Sequence, residues 1–552
     1  MVSWRLIEKT DRLLQKEKGT IFKDPGGRVN ICLVYPNTYR VGMSNLGFQG
    51  IYGILNSRHD TVCERAFLPD EEDLTEFERT GFELFSMESR RPLNRFDIIA
   101  FSVSFENDYP AIPFILALSN LKPLSSERDE RSPLVMLGGV CASFNPEPIA
   151  DLFDLIFIGE ADRPIHSLIE TFKKTSVRQE FLTAISSSPG FYVPQFYRLA
   201  YSETGELKER THIPLAPERI RKVTEKKIDT TIRTAIVTPE AEFSEMYLLE
   251  AMRGCVWSCR FCLAGHIYNP PRYKEKDILL EEIGQAREKT DRIGLVGPSL
   301  TDYKYCAEAL KVKEVDFSIT SLRASPRSAE ILSLIKGKRS ISIAPEAGTE
   351  HLRRIINKKV SEEEIIETSR EILACGISSL RLYFMIGLPY ERDEDIEGII
   401  SLAGKIRSLS SRGNIVLSIS TFVPKPFTPF QWHPMTDEKT VKRRLKMIKS
   451  QTGRNKGIRV LHDVLKYAYL QGVFSRGDRR ISKAIPEMRE AGRWRDIMRG
   501  KGLRIENYLF RPRHYDELLP WDFIDIGITK EYLWSEYEKA RNLSLPDAGK
   551  ER

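Results

Sequence analysis

Cys255, Cys259 and Cys262 stand within eight residues, in the run Arg253-Gly254-Cys255-Val256-Trp257-Ser258-Cys259-Arg260-Phe261-Cys262. Thiolates are soft ligands that suit iron–sulfur centres. A C-x3-C-x2-C spacing lets one short loop offer three of them to a cuboidal [4Fe–4S] cluster. Such a cluster wants one ligand per iron, so three cysteines leave one iron open to a small molecule. Two blander readings use the same residues. Buried cysteines often serve as inert, small apolar side chains. A zinc site takes four ligands, usually from paired C-x2-C units; His266 is at hand as a fourth, although an orienting or surface role suits it better.

Strand and helix alternate through the central third of the chain, which must position that loop. Apolar runs predict strands at residues 246–250, 292–296, 315–320, 340–344, 380–386 and 415–422. The stretches between them read as amphipathic helices. Asp277 caps one that buries Leu279, Leu280 and Ile283, and Pro326 opens another carrying Ile331, Leu332 and Ile335. Ser361 and Glu364 form a capping box and Gly376 ends that helix. Asp393 starts a helix with Ile396, Ile399, Ile400 and Ala403 inward. Strands joined in this way pair in parallel through right-handed crossovers. Their number fits either an open sheet or a barrel, and the cysteine loop follows directly on the first of them.

The first third reads as a separate α/β unit. Near-continuous apolar runs at 30–35, 97–104, 134–137 and 155–158 predict strands covered on both faces, with a helix over 45–56. This suits a doubly wound, flavodoxin-like sheet. Gly138-Gly139 and Gly159-Glu160 end two of the strands. There the backbone either approaches a ligand or simply makes a tight βα turn. Residues 175–241 read as a connector that supplies an edge hairpin. From about residue 435 the chain reads as helical and basic. Val441, Leu445 and Ile448 make one stripe among Lys442, Arg443, Arg444, Lys446 and Lys449, and Gly453 is a stop. A second basic cluster, Ser475 to Arg480, could meet phosphate or a polyanionic substrate.

Composition narrows the class. At 552 residues, two or three domains are expected. Hydrophobic residues make up 41% and charged residues 29%, as in globular proteins. Lys and Arg number 84 against 77 for Asp and Glu, a net +7, which is mild at this length and does not by itself call for nucleic acid. No apolar stretch is long enough to span a bilayer. The first 18 residues read as a short charged helix without a signal-peptide core. Eight cysteines without that signal point to a reducing cytoplasm. Cys32, Cys63, Cys141, Cys306 and Cys375 are scattered, and most of them read as core residues.

The cysteine spacing, with Phe261 just before the last thiol, resembles the radical S-adenosylmethionine (radical SAM) enzymes. Further likeness lies in Tyr35-Pro36-Asn37, Gly42-Met43-Ser44-Asn45-Leu46-Gly47, Asn145-Pro146-Glu147-Pro148, Ile158-Gly159-Glu160, Ala344-Pro345-Glu346-Ala347-Gly348, Gly387-Leu388-Pro389 and residues 422–430. The order of parts is similar to a cobalamin-binding-type domain (1–174), a connector (175–241), a radical SAM core (242–434) and a mainly helical basic extension (435–552). It is closest to a group of bacterial and archaeal radical SAM iron–sulfur proteins of undefined reaction. The resemblance implies a partial (β/α)6 barrel with ligands at the carboxyl ends of its strands. It also implies a [4Fe–4S] cluster on Cys255, Cys259 and Cys262, and SAM cleaved reductively to a 5′-deoxyadenosyl radical. Phe261 would lie near the adenine, Gly297 and Ser299 near the methionine end, Arg323 on the SAM carboxylate, and Glu346 on the ribose or amino group. Gly138, Gly139 and Gly159 would line a cobalamin-type pocket, and a flavodoxin- or ferredoxin-like donor would supply the electron.

Two departures qualify that likeness. Gly297-Pro298-Ser299 replaces the usual Gly-Gly-Glu, so the carboxylate is missing. The loop after Tyr35 holds no histidine, and Cys141 stands where related proteins often carry one. Bound cobalamin would therefore be base-off without a lower histidine ligand; alternatively the domain is a substrate-binding lid. Cobalamin-dependent methyl transfer is the natural extension of the leading reading. A tRNA- or RNA-modifying, methylthiotransferase-like enzyme is a second, motivated by the basic tail but lacking a second cysteine triplet. An iron–sulfur electron carrier or redox sensor is the non-enzyme alternative.

Overall fold

The computed structural model describes residues 3–175, 177–228, 232–319, 321–335, 339–410, 412–453, 455–489 and 492–545. The apolar runs of the first third assemble one six-stranded sheet. Its strands are β1 (Val29–Tyr35), β2 (Thr61–Phe67), β3 (Ile98–Ser102), β4 (Leu134–Gly138), β5 (Leu155–Phe157) and β6 (Phe191–Tyr192), in the order β2-β1-β3-β4-β5-β6. The first five are parallel and β6 is antiparallel to β5. This is the flavodoxin-like order, whose switch point opens a crevice at the carboxyl ends of β1 and β3. The helix Leu46–Ser57, capped by the Asn45 side chain, leads away from that crevice.

Two strands of this sheet differ from the sequence reading. β6 comes from the stretch read as connector. β2 was not expected, because Glu64 and Arg65 interrupt its apolar pattern. The structure buries every residue of β2 and pairs the charge: Arg65 sits between Glu88 and Glu17, with nitrogen–oxygen distances of 2.7 Å to each. A guanidinium can be buried when carboxylates meet it on two sides.

The central strands are β7 (Tyr247–Glu250), β8 (Arg292–Val296), β9 (Asp316–Ser318), β10 (Ser340–Glu346), β11 (Ser379–Ile386), β12 (Asn414–Thr421) and β13 (Ile458–His462). β7-β8-β9 and β10-β11-β12-β13 form two parallel sheets, joined by a parallel bridge from Leu322 to Ile343. All six expected strands are present, although Thr320 lies outside the described residues. β13 is additional and falls in the segment read as a helical extension. Its crossover from β12 is the basic helix Glu438–Thr452, whose Val441, Leu445 and Ile448 pack inward. Arg444 is also buried, against Glu391 at 2.6 Å.

Local capping follows the sequence in most places. Ser361 and Glu364 make the capping box, Pro326 precedes the helix Arg327–Leu334, and Asp393 opens Asp393–Ser408. Asp277 is not a cap; it lies in the first turn of Lys276–Arg287, whose N-cap is Glu275. The connector supplies the hairpin Tyr197–Tyr201 and Leu207–His212, a two-stranded sheet of its own. Cys32, Cys63, Cys141 and Cys306 are buried, whereas Cys375 is exposed. Among the described residues no helix is long and apolar enough to cross a membrane.

Candidate active site

Just beyond the end of β7 the chain passes through Met252–Arg253, which pairs antiparallel with Arg272–Tyr273. The loop between these short strands carries all three cysteines of the triplet. Gly254 opens it at φ +81°; a Cβ there would collide with the Tyr268 carbonyl oxygen and stand 3.1 Å from Pro271 Cα. Glycine is therefore the residue that lets the loop leave its neck. Inside the loop, Cys262 N donates to Cys259 O at 3.0 Å, Arg260 N to Ile356 O at 3.0 Å, and Asn357 Nδ2 to Ser258 O at 2.7 Å. His266 is buried, with Nδ1 2.8 Å from Cys262 O, so this nitrogen carries the proton and the ring braces the loop backbone.

The three thiols are free, with Cys259 buried and Cys255 and Cys262 half-buried. Burial raises all three pKa values, that of Cys259 to about 12 despite the opposing charge of Lys358. Metal ligation must therefore displace protons. Among the described residues no three His, Cys, Asp or Glu side chains converge as they would on one ion. The thiols of a four-iron cuboid occupy separate corners and stand farther apart than ligands of one ion. Three free thiols on a single loop suit that donor set.

Trp257, Ser299, Arg323 and Asp302 meet beside the loop. Asp302 accepts from Trp257 Nε1 and from Ser299 Oγ, each at 2.6 Å. The Arg323 guanidinium lies 3.6 Å from the centre of the Trp257 ring and donates to Lys359 O. Arg323 follows β9 by five residues instead of ending it, and makes no ion pair among the described residues. Asp302 stands three positions beyond Ser299, outside the Gly297-Pro298-Ser299 stretch, and only folding brings it to Trp257. Glu346, the last residue of β10, has φ +67° and faces Lys358 at 3.2 Å. It does not cap the next helix; Thr349 does. Phe261 packs with Ala347, Leu352, Leu388 and Phe430.

A cleft of about 420 Å³ lies between the carboxyl ends of the two sheets, bounded by Ser102, Ser104 and Gly139 on one side and Glu250, Gly254 and Gly297 on the other. Behind it a smaller apolar cavity of about 90 Å³ is lined by Leu33, Leu55, Ile98 and Phe157. Gly138 and Gly159 also border that cavity, but Gly139 and Gly159 are required by neighbouring backbone. At φ +99° and +129°, a Cβ on either would strike Val103 or Val223 main chain. Gly297 is needed because the Met252 side chain occupies the space of its missing Cβ.

Of the two basic clusters, the helix Glu438–Thr452 keeps Lys442, Arg443, Lys446 and Lys449 exposed and buries Arg444, whereas the second is engaged internally. Arg476 is fully buried on backbone carbonyls of Leu509 and Arg511, Arg479 sits on Glu147, and Arg480 on Asp478. The helix Lys530–Ser544 reaches back to the cysteine loop: Glu536 meets Arg260 at 2.9 Å, and Arg260 also donates to Ile355 O at 2.7 Å.

Lys222, in the segment between the two α/β units, is 5% exposed and donates to Thr224 Oγ1 at 2.8 Å. Burial pushes its pKa down from 10.5 to about 8, with Glu160 opposing. Between those values the unfolded chain binds more protons than the folded one, so stability rises with pH. Relative to Lys222→Met, the wild type is expected to gain about 3 kcal/mol from pH 7.5 to 10.5, read from urea midpoints. A constant difference would show that the amine is charged in both states.

Two family models match this chain: one described as "Radical SAM proteins, N-terminal" over residues 47–194, the other as "Radical SAM superfamily" over 249–403. Together they take in more than half of it. The uncharacterized protein MJ0966 of Methanocaldococcus jannaschii is 28% identical over 459 residues, 82% of this chain and 90% of its own. Among solved structures, the cobalamin-dependent S-adenosylmethionine radical enzyme OxsB, with aqua-cobalamin and S-adenosylmethionine bound, aligns at 15% identity and a TM-score of 0.46. That alignment covers 93% of this chain and 79% of OxsB. OxsB with aqua-cobalamin bound gives 18% identity and 0.45 over 68% of this chain; there the chain spans 52% of that structure.

Proposed function

The chain belongs to the radical SAM superfamily, and from that premise we propose that Cys255, Cys259 and Cys262 hold its [4Fe–4S] cluster at the mouth of the β7–β13 strands. The observation that carries the assignment is three free thiols on one loop after the first barrel strand. A cluster and SAM held there would supply hydrogen-atom abstraction chemistry through reductive cleavage of SAM. The chain's own residues bind and orient. Arg323, held flat on Trp257 and free of a carboxylate partner among the described residues, suits the SAM carboxylate, because a guanidinium matches that planar anion. Asp302, fixed by Trp257 and Ser299, offers a carboxylate at the strand end where Gly297-Pro298-Ser299 lacks one. Glu346 addresses the ribose or amino group, and Phe261 lies by the adenine.

The cleft between the two sheets supports a second cofactor, cobalamin, with methyl transfer to an unactivated carbon as the reaction. Its walls are the carboxyl ends of the N-terminal sheet and of β7 and β8. Cys141 is buried and the loop of residues 36–47 after β1 holds no histidine, so neither position would offer an imidazole to a bound corrinoid. For the RNA-modifying reading, Arg476, Arg479 and Arg480 give no support, since they are spent within the fold; the exposed Lys442, Arg443, Lys446 and Lys449 are the part of the basic tail left to solvent. A flavodoxin- or ferredoxin-like donor delivers the electron, in a reducing cytoplasm.

The test is purification without oxygen from a cobalamin-fed host. About four irons per chain, with 5′-deoxyadenosine formed from SAM and dithionite, is the expected outcome. A corrinoid absorption band adds methyl transfer to the assignment, and its absence leaves the N-terminal domain a substrate-binding lid. Zinc alone, or a cluster indifferent to SAM, overturns the proposal.

A further inference from the structure

Arg253 and Arg272 face each other across the short strand pair that bounds the cysteine loop, so they stand at its two ends. Both reach the same carboxylate, and it belongs to the N-terminal sheet. Glu160, in the turn after β5, meets Arg253 Nη1 at 2.7 Å and Arg272 Nη1 and Nη2 at 2.7 and 2.8 Å. It also accepts from Glu225 N at 3.0 Å. The remaining Arg253 donors go to Asp162 at 3.2 and 3.3 Å and to Glu250 at 2.8 and 2.7 Å. Those of Arg272 go to the carbonyls of Glu225, Pro270 and Tyr268. Glu160, Arg253 and Arg272 are 5%, 8% and 7% exposed.

The carboxylate is held from behind as well. Gly159 bridges Val223, and Glu160 N donates to Val223 O at 3.0 Å. The turn therefore cannot follow the loop if the loop moves. Charge-assisted, two-pronged hydrogen bonds out of water are the strong kind, and removing one partner leaves buried guanidinium uncompensated.

We infer that Glu160 is a positioning residue for the cysteine loop: a latch by which the N-terminal domain closes the loop's neck and sets the placement of the three thiols. The N-terminal domain is then part of the cluster site, whatever else it binds. The consequence for iron rests on the proposed cluster; the latch itself does not.

Glu147 supplies the control. It too is a buried carboxylate between two arginines, Arg210 at 2.7 Å and Arg479 at 3.1 Å, but it ties the sheet to the hairpin and the C-terminal segment. Hydrogen exchange by mass spectrometry on the metal-free full chain reads the loop amides, residues 254–269, directly. Glu160→Gln is expected to speed their exchange at least about ten-fold, whereas Glu147→Gln leaves them at the wild-type rate while lowering the melting temperature. After anaerobic reconstitution, Glu160→Gln is expected to hold about half the wild-type iron or less, and the electron paramagnetic resonance of the reduced cluster should change less on adding SAM. Should Glu160→Gln fail to fold, Asp162→Asn decides the matter, since it removes only the longer contacts of Arg253. It is expected to speed loop exchange about two- to three-fold. Loop exchange unchanged in Glu160→Gln, or in Asp162→Asn where that variant decides, overturns the latch, as does an equal effect from Glu147→Gln. A wild type that takes up no iron overturns the cluster assignment, while the exchange result still decides the latch.

Discussion

A chain with Cys255, Cys259 and Cys262 all replaced by Ala is expected to remain folded, take up no iron, and lose reductive SAM cleavage by at least about 10³-fold. The fold should survive because two of the thiols are half-buried and only Cys259 is fully enclosed. Trimming one buried sulfur costs about 1 kcal/mol, well within the margin of a domain this size. The loop keeps its shape through bonds that no thiol makes: Arg260 N to Ile356 O, Asn357 Nδ2 to Ser258 O, and the His266 brace. Iron and sulfide assays, the melting curve and chromatography of 5′-deoxyadenosine check the three parts separately. Cleavage at the wild-type rate in the triple variant would remove these cysteines from the chemistry.

Gly348→Ala is expected to cost the fold about 3 kcal/mol, measured as a shift in the urea midpoint. The turn after β10 presses against the helix Asp393–Ser408 so closely that an added Cβ would stand 2.8 Å from Gly398 C, and nearer still to Asp395 O and Ile399 N. These are backbone atoms, which cannot rotate aside. The contact is reciprocal: a Cβ on Gly398 would meet Gly348 C at 2.9 Å and Thr349 Cγ2 at 2.8 Å. Relief requires the helix to retreat or the turn to lift, and the turn carries Glu346 two residues earlier. SAM affinity is therefore expected to fall alongside stability. Wild-type stability in Gly348→Ala would mean that the helix moves freely.

The strands that could be read in advance carry a clear apolar pattern. In β1, β3, β4 and β5 it is near-continuous, as a strand covered on both faces requires, and in β10, β11 and β12 Ile, Leu and Phe recur at alternate positions, mostly between Ser, Arg and Tyr. β2 was hidden because Glu64 and Arg65 look like surface residues until Glu17 and Glu88 arrive from elsewhere. β13 was hidden for the opposite reason. Arg459 and His462 are exposed, its apolar residues are only half-buried, and the helix before it looks like a solvated basic face. Within the site, the cysteine triplet and Gly254 are adjacent in sequence and could be found there. Asp302, Glu160 and Glu536 could not, because each acts on the loop from 40 or more residues away, and only folding brings the carboxylate to its partner. The arginines after Ser475 show the same limit in reverse. A run of basic residues advertises anion binding, but Arg479 and Arg480 are met by carboxylates inside the fold, and Arg476 lies buried on two backbone carbonyls with its Nε unpartnered among the described residues.

The seating of the helix Lys530–Ser544 against Arg260 also sets an order of events. Glu536 lies 276 residues beyond Arg260, and a ribosome delivers the chain from its N-terminus. The contact that seats this helix on the cysteine loop is therefore among the last that the growing chain can make, and the loop acquires that support only once the chain is nearly complete.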